Sequence, residues 1–81
     1  MATQHVELAA NSPWIVASTA DEFLIQNTEA PVLFVTLQAG MPSAESAYHE
    51  LTRGQAITRT GEGTVYVRNP SSYAVRVVVT E

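Results

Sequence analysis

The sequence predicts an all-β protein, a small antiparallel β-sandwich of about seven or eight short strands. Val, Ile and Thr supply 22 of the 81 residues, and β-branched side chains fit the pleated surface of a strand. Turn-forming Asn, Gly and Pro residues recur at short intervals along the chain. The runs between these turns have the length of ordinary strands, which favours many short strands.

The turn residues set the expected boundaries of the elements. Residues 1–12 are expected to form an N-terminal arm or an edge strand, extended near residues 4–9. Residues 13–81 are expected to form a single β-sandwich domain with strands near residues 14–18, 22–27, 32–38, 48–52, 55–60, 64–68 and 73–80. Turns are expected at Asn11-Ser12-Pro13, Asn27–Pro31, Gly40–Ser43, Arg53-Gly54, Gly61-Glu62-Gly63 and Asn69–Ser72.

Only residues 43–52 suit a helix. Ser43 is a possible N-cap, but Glu45 comes one position too early to complete a capping box with it. We therefore expect a single helical turn near residues 44–47 at most.

The strand expected at residues 32–38 is apolar on both faces. Leu33, Val35 and Leu37 lie on one face, and Val32 and Phe34 lie on the other. Such a strand is covered on both sides, by a second sheet or by a neighbouring subunit. Because a chain of 81 residues has little material for a second cover, this strand indicates an oligomer.

The last two strands are expected to form a hairpin across the short loop that follows Arg68. The register that pairs Arg68 with Ala74 places Tyr66 opposite Arg76, where the ring and the guanidinium can stack. The other face of the hairpin is then entirely valine, at positions 65, 67, 75, 77 and 79. A dry face of this kind is what a sandwich requires.

Composition excludes several classes of protein. The chain has no Cys, so it forms neither a disulfide scaffold nor a Cys-ligated metal site. With four Arg, no Lys and a net charge of −4, it lacks the basic surface of an electrostatic nucleic-acid binder, and we expect no nucleic-acid partner. No apolar run reaches the length of a membrane helix, and the first residues lack a signal-peptide pattern. We therefore expect no membrane partner and synthesis in the cytosol.

His49-Glu50, on a chain with a later Gly61-Glu62-Gly63 turn, faintly resembles the metal-binding half of a cupin. The paired histidine of that motif is missing, because residue 47 is Ala and residue 51 is Leu. His5 is the only other histidine of the sequence, whereas a divalent metal site needs three or more convergent ligands. We expect no metal and no other cofactor.

The residues of hydrolytic and acid–base catalysis are not arranged for these reactions. No Ser lies in a G-x-S-x-G elbow, and an S-x-x-K pair requires the Lys that the chain lacks. Asp21 and Glu22 are adjacent and therefore point to opposite sides of a strand. Gly61-Glu62-Gly63 is too short and too acidic to hold phosphate. We expect no enzymatic activity and no small-molecule substrate.

Segments spread over residues 13–81 resemble a known class of protein. They are Trp14-Ile15-Val16, Phe23-Leu24-Ile25-Gln26-Asn27, Pro31–Val35, Met41-Pro42, His49–Gln55 and Thr64–Arg68, before a terminal Val-rich strand. This pattern resembles the small all-β virion proteins of tailed bacteriophages, of the capsid decoration (cement) type and related head or tail accessory proteins. The resemblance implies a β-sandwich or jelly-roll-like subunit that trimerises, binds the major capsid protein or a tail lattice, and does not catalyse a reaction. It also implies a place in the virion after synthesis in the host cytoplasm.

No contact residue carries over from this resemblance, because the class offers no invariant contact motif to match. We expect the subunit or shell interface among apolar, aromatic and arginine side chains, namely Val6, Leu8, Trp14, Phe34, Tyr48, Tyr66, Arg68, Tyr73 and Arg76. Two alternatives stay open. One is a tail or fibre accessory protein, and the other is a small carbohydrate- or receptor-binding sandwich with Trp14, Tyr48, Tyr66 and Tyr73 as stacking faces.

Overall fold

A computed structural model describes residues 2–20, 22–38, 40–43, 46–60 and 64–81, with backbone alone at residues 59 and 60. In these ranges the chain forms eight strands and no helix, so none of the described segments is a helix able to cross a membrane. The strands are β1 (Thr3–Leu8), β2 (Ile15–Ser18), β3 (Glu22–Asn27), β4 (Val32–Gln38), β5 (His49–Thr52), β6 (Ala56–Thr60), β7 (Thr64–Arg68) and β8 (Val75–Thr80). The helical turn expected near residues 44–47 and the Gly61-Glu62-Gly63 turn fall wholly or partly outside the described residues.

The strands form two four-stranded antiparallel sheets. The first sheet has the order β1-β8-β3-β6, and the second sheet has the order β2-β7-β4-β5. The first strand thus pairs with the last, the second with the seventh, the third with the sixth and the fourth with the fifth. This nested pairing is the strand order of a jelly roll. The predicted all-β fold, a small antiparallel sandwich or jelly-roll-like barrel of about seven or eight strands, is confirmed.

The core lies between the two sheets, where alternate side chains of each strand meet. Nine apolar side chains in it are at most 1% exposed: Leu8, Ile25, Ala30, Leu33, Val35, Val65, Val67, Val77 and Val79. The valines predicted to form one dry face, at positions 65, 67, 75, 77 and 79, are all buried. The period-two pattern of the sequence therefore identified the inward faces of the last two strands correctly.

The predicted hairpin of the last two strands is wrong. β7 lies in the second sheet between β2 and β4, whereas β8 lies in the first sheet between β1 and β3. Residues 69–74 therefore cross from one sheet to the other. Buried Asn69 fixes this crossing, because Nδ2 donates to the carbonyls of Ala9 (3.0 Å) and Tyr73 (2.8 Å) while Oδ1 accepts from the Ser71 amide (2.9 Å).

Asn27, the last residue of β3, fixes another corner of the sandwich. Its side chain is fully buried. Nδ2 donates to the carbonyls of Ala30 (2.9 Å) and Leu51 (2.8 Å), and Oδ1 accepts from the Ala30 amide (3.0 Å). Asn27 therefore connects the β3–β4 turn to β5, across the gap between the two sheets.

Of the two alternatives for the N-terminal segment, arm or edge strand, the structure has the edge strand. β1 pairs with β8 in a continuous register from Thr3↔Thr80 to Leu8↔Val75. Leu8 is fully buried, and Val6 packs against the core. The sandwich therefore includes residues 3–8 as well as the expected 13–81.

Candidate interface on the outer face of the second sheet

The outer side of the second sheet presents an aromatic ring between two opposite charges. Phe34 lies between Leu33 and Val35 on β4, whose side chains fill the core, so Phe34 points outward. Phe34 has a register partner on each neighbouring strand, Arg68 on β7 and Glu50 on β5. Three neighbouring strands thus present Arg68, Phe34 and Glu50 in one row.

Aromatic rings and the Arg68 guanidinium pack together on this side of the sheet. The rings of Phe34 and Tyr48 are stacked, with centroids 4.3 Å apart and planes 30° apart. Trp14 meets Tyr48 at 6.1 Å and 57°. The Arg68 guanidinium lies 4.9 Å from the Phe34 centroid and 5.4 Å from the Trp14 centroid, within cation–π range of both. Together with Tyr66, which also projects outward from β7, these residues form what we call the aromatic face.

The described residues between β4 and β5, 40–43 and 46–48, contribute contacts on the side of the sheet that carries the aromatic face. Thr36 Oγ1, on the outer side of β4, donates to the carbonyl of Ala47 at 2.8 Å. Met41, near the start of the segment, lines a groove together with Trp14 and Arg68. The chain therefore folds one of its own connections across the sheet that carries the aromatic face.

This arrangement explains how β4 is apolar on both faces. Leu33 and Val35 face the core and are at most 1% exposed. On the other side, the Tyr48 ring and the Arg68 guanidinium lie against Phe34. The cover expected from a second sheet or a neighbour is thus supplied in part by side chains of the same chain. Phe34 nevertheless keeps an intermediate exposure.

Exposure varies sharply across the aromatic face. Trp14 and Tyr66 are 8% and 6% exposed, whereas Tyr48 is 42% exposed. Val16, the register partner of Tyr66 on β2, is 47% exposed, and Met41 is 64% exposed. The most exposed ring of the aromatic face is therefore that of Tyr48, and Val16 and Met41 add exposed apolar side chains to this surface. The indole Nε1 of Trp14 is buried with no hydrogen-bond partner among the described residues.

Among the described residues, neither charge at the aromatic face has an oppositely charged partner. In the described ranges the only ion pair joins Arg76 Nε to Glu29 Oε1, at 3.2 Å. The Arg68 guanidinium has aromatic neighbours there but no carboxylate, and the exposed Glu50 has no cation. A guanidinium carries five N–H donors, and no carboxylate among the described residues accepts from those of Arg68.

The structure brings together five of the residues expected at the interface and places four elsewhere. Val6 and Leu8 face the core from β1, and Tyr73 lies in the β7–β8 crossing, 49% exposed. Arg76 lies in the first sheet, where its side chain pairs with Glu29. The predicted stacking of Tyr66 on Arg76 is therefore wrong, because the two residues belong to different sheets.

Candidate catalytic and metal-binding groups are dispersed. His5 lies on β1 of the first sheet, whereas His49 and Glu50 lie on β5, an edge of the second sheet. His49 and Glu50 line an open groove between β5 and β6 with core residues such as Leu51 and Ile57. Among the described residues, no group of three or more His, Asp or Glu side chains is placed to hold a metal ion.

Comparison with known proteins returned no match: no family model, no curated protein and no solved structure is significantly similar to this chain.

Three residues of this surface were missing from the expected interface. Val16 was recoverable from the sequence, because alternation along β2 places it on the same side as Trp14. Met41 is exposed through the course of the β4–β5 segment, which no local pattern specifies. Glu50 joins the surface through its register with Phe34, a contact between strands that the sequence does not state.

Proposed function

We propose that this chain is a non-enzymatic structural subunit of a bacteriophage particle, which forms a homotrimer and binds the capsid shell as a decoration protein. The observation that carries the proposal is the aromatic face, which a single subunit covers only in part. Val16, Met41 and Tyr48 remain 47%, 64% and 42% exposed around it. Clustered apolar exposure of this kind marks protein–protein contact.

The jelly-roll order of the strands supports the proposal at the level of the fold. Jelly rolls form viral capsid domains, but also lectin domains and cupins, so the fold does not choose among them. The aromatic side chains favour a protein interface over a sugar site. Of those considered for sugar stacking, Trp14 and Tyr66 are buried, and Tyr73 lies apart in the β7–β8 crossing.

The charge content of the chain also suits a subunit that meets several neighbours. Charged residues are 15% of the sequence and Lys is absent, against about 25% charged residues in a typical domain. The centres of protein interfaces are depleted in Lys and Glu, because a charge must be desolvated there. A low-charge surface therefore makes extensive protein contact less costly.

Co-sedimentation with empty heads of the phage that encodes this chain tests the proposal. We expect the wild-type protein to bind the heads saturably, and light scattering on the free protein to give three times the mass of the 8.8 kDa chain. Failure to bind the heads would refute the decoration function. A protein that stays monomeric at high micromolar concentration would refute self-association.

A matched pair of tyrosine variants locates the surface involved. Tyr48→Ser removes the exposed ring of the aromatic face, and Tyr73→Ser removes a ring of similar exposure from the β7–β8 crossing. We expect Tyr48→Ser to weaken trimer formation and Tyr73→Ser to leave it unchanged. Equal effects of the two changes would show that the aromatic face has no special part in assembly.

A further inference from the structure

We infer that the partner of the aromatic face is a second copy of this chain, and that Arg68 of one copy forms an ion pair with Glu50 of the next around a three-fold axis. This inference rests on the self-association in the proposed function and names the residues that determine it. It follows from the position and surroundings of two charged side chains.

The first step is the geometry of the row. Arg68 on β7 and Glu50 on β5 are both register partners of Phe34 on β4. Since neighbouring strands are about 4.8 Å apart, the two charged residues are separated by about 10 Å along the sheet. They lie on opposite halves of one surface, and the Phe34–Tyr48 stack lies between them.

The second step is that neither charge has an oppositely charged partner among the residues that the structure describes. Across the described part of the chain, Arg68 contacts the faces of Trp14 and Phe34 and has no carboxylate neighbour. Glu50 is exposed and has no cationic neighbour there. The surface therefore has a positive half, an apolar centre and a negative half.

The third step is complementarity to a second copy. When identical sheets face a three-fold axis, one half of each surface meets the opposite half of its neighbour. The positive half with Arg68 then meets the negative half with Glu50, and the exposed Tyr48 ring is buried near the axis. Opposite potentials facing each other are the usual arrangement in specific interfaces, because like charges would repel a wrong orientation.

Charge reversal tests the ion pair. Glu50→Arg places a like charge against Arg68 of the neighbour, and we expect it to raise the trimer dissociation constant about tenfold or more in sedimentation equilibrium. Glu7→Arg is the control, because it changes the net charge equally at an exposed position of β1 in the first sheet. We expect Glu7→Arg to leave the dissociation constant within about twofold of the wild type.

The double variant Arg68→Glu/Glu50→Arg reverses the pair and should recover most of the association that Glu50→Arg loses. Trp14 fluorescence shows whether the double variant folds. If it does not fold, the comparison of Glu50→Arg with Glu7→Arg tests the ion pair by itself. Equal effects of those two single changes would overturn the inference.

Head binding and the wild-type mass separate this inference from the proposed function. A wild-type trimer that binds heads, and that Glu50→Arg leaves intact, would overturn the ion pair and leave the decoration function standing. A wild-type monomer that binds heads would overturn the ion pair and the self-association, but not head binding. A trimer that Glu50→Arg dissociates and the double variant restores would establish the pair.

Discussion

Asn27→Ala should destabilise the fold strongly, although the residue is polar. The buried Asn27 side chain makes three hydrogen bonds, to the carbonyls of Ala30 and Leu51 and to the Ala30 amide. A hydrogen bond contributes about 0.5–1.5 kcal/mol net, and a buried group left without a partner costs about 1–3 kcal/mol. Because Ala30 is itself fully buried, we expect a loss of about 3–4 kcal/mol in the free energy of unfolding.

This loss is large against the whole stability of the domain. At about 0.05–0.15 kcal/mol per residue, a chain of 81 residues is stable by only about 4–12 kcal/mol. The expected change corresponds to a fall of about 12–32 °C in the melting temperature. Urea unfolding, followed by the fluorescence of Trp14, measures the change in the free energy of unfolding. Trp14 is the single tryptophan of the chain. All variants are compared at one protein concentration, because the stability of an oligomer depends on concentration.

Two further variants separate the hydrogen bonds from the volume of the side chain. Asn27→Asp keeps the size and the acceptor but replaces the Nδ2 donor by an oxygen that faces two carbonyls, so it should be at least as destabilising as Asn27→Ala at neutral pH. Thr28→Ala, at the next and exposed position, should change the free energy of unfolding by less than about 0.5 kcal/mol. An Asn27→Asp protein as stable as the wild type would refute the role of the donated hydrogen bonds.

Three other changes probe single features of the backbone and surface. Gly54 has φ +89°, whereas the space around both Gly54 and Gly40 is open. Gly54→Ala should therefore lower the free energy of unfolding by about 1–2 kcal/mol, and Gly40→Ala should leave it unchanged or raise it by up to about 1 kcal/mol. Equal changes for the two variants in thermal unfolding would contradict the strain argument. Asn11 also has a positive φ, 50°, and Asn11→Ala should destabilise by about 1 kcal/mol whereas Asn11→Gly should not. Arg76→Ala breaks an ion pair whose side chains are 53% and 35% exposed, so the loss should stay under about 1 kcal/mol and shrink in high salt; a larger, salt-independent loss would show that Arg76 contributes mainly through packing.

The sequence specified which side chains of a strand face inward better than it specified which strands pair. The valines of β7 and β8 were placed correctly, because a period of two follows from strand geometry alone. Their pairing was predicted wrongly, since the loop after Arg68 has a length that fits a hairpin or a crossing between sheets. One of the three hydrogen bonds of the Asn69 side chain at this crossing goes to Ala9, sixty residues earlier in the chain. No local pattern contains that contact.

The same distinction holds for the candidate interface. The two-sided apolar pattern of β4 correctly indicated that Phe34 needs a cover. It could not show that Tyr48 and Arg68 supply part of this cover, because they come from different strands and meet Phe34 only through the sheet order. Arg68 was expected to share a surface with Arg76, which depended on the hairpin that does not form. Contacts between distant strands decide these positions.

Hydroxyl-radical labelling of the wild-type protein at low and high concentration tests most directly whether the aromatic face is the assembly surface. Tyr48 and Tyr73 are 42% and 49% exposed in the subunit, so they should label at comparable rates in dilute solution. When the protein is concentrated, labelling of Tyr48 should fall several-fold while labelling of Tyr73 stays constant. If Tyr48 remains as reactive as Tyr73 in the assembled protein, the aromatic face is not buried on assembly, and its role as the interface is contradicted.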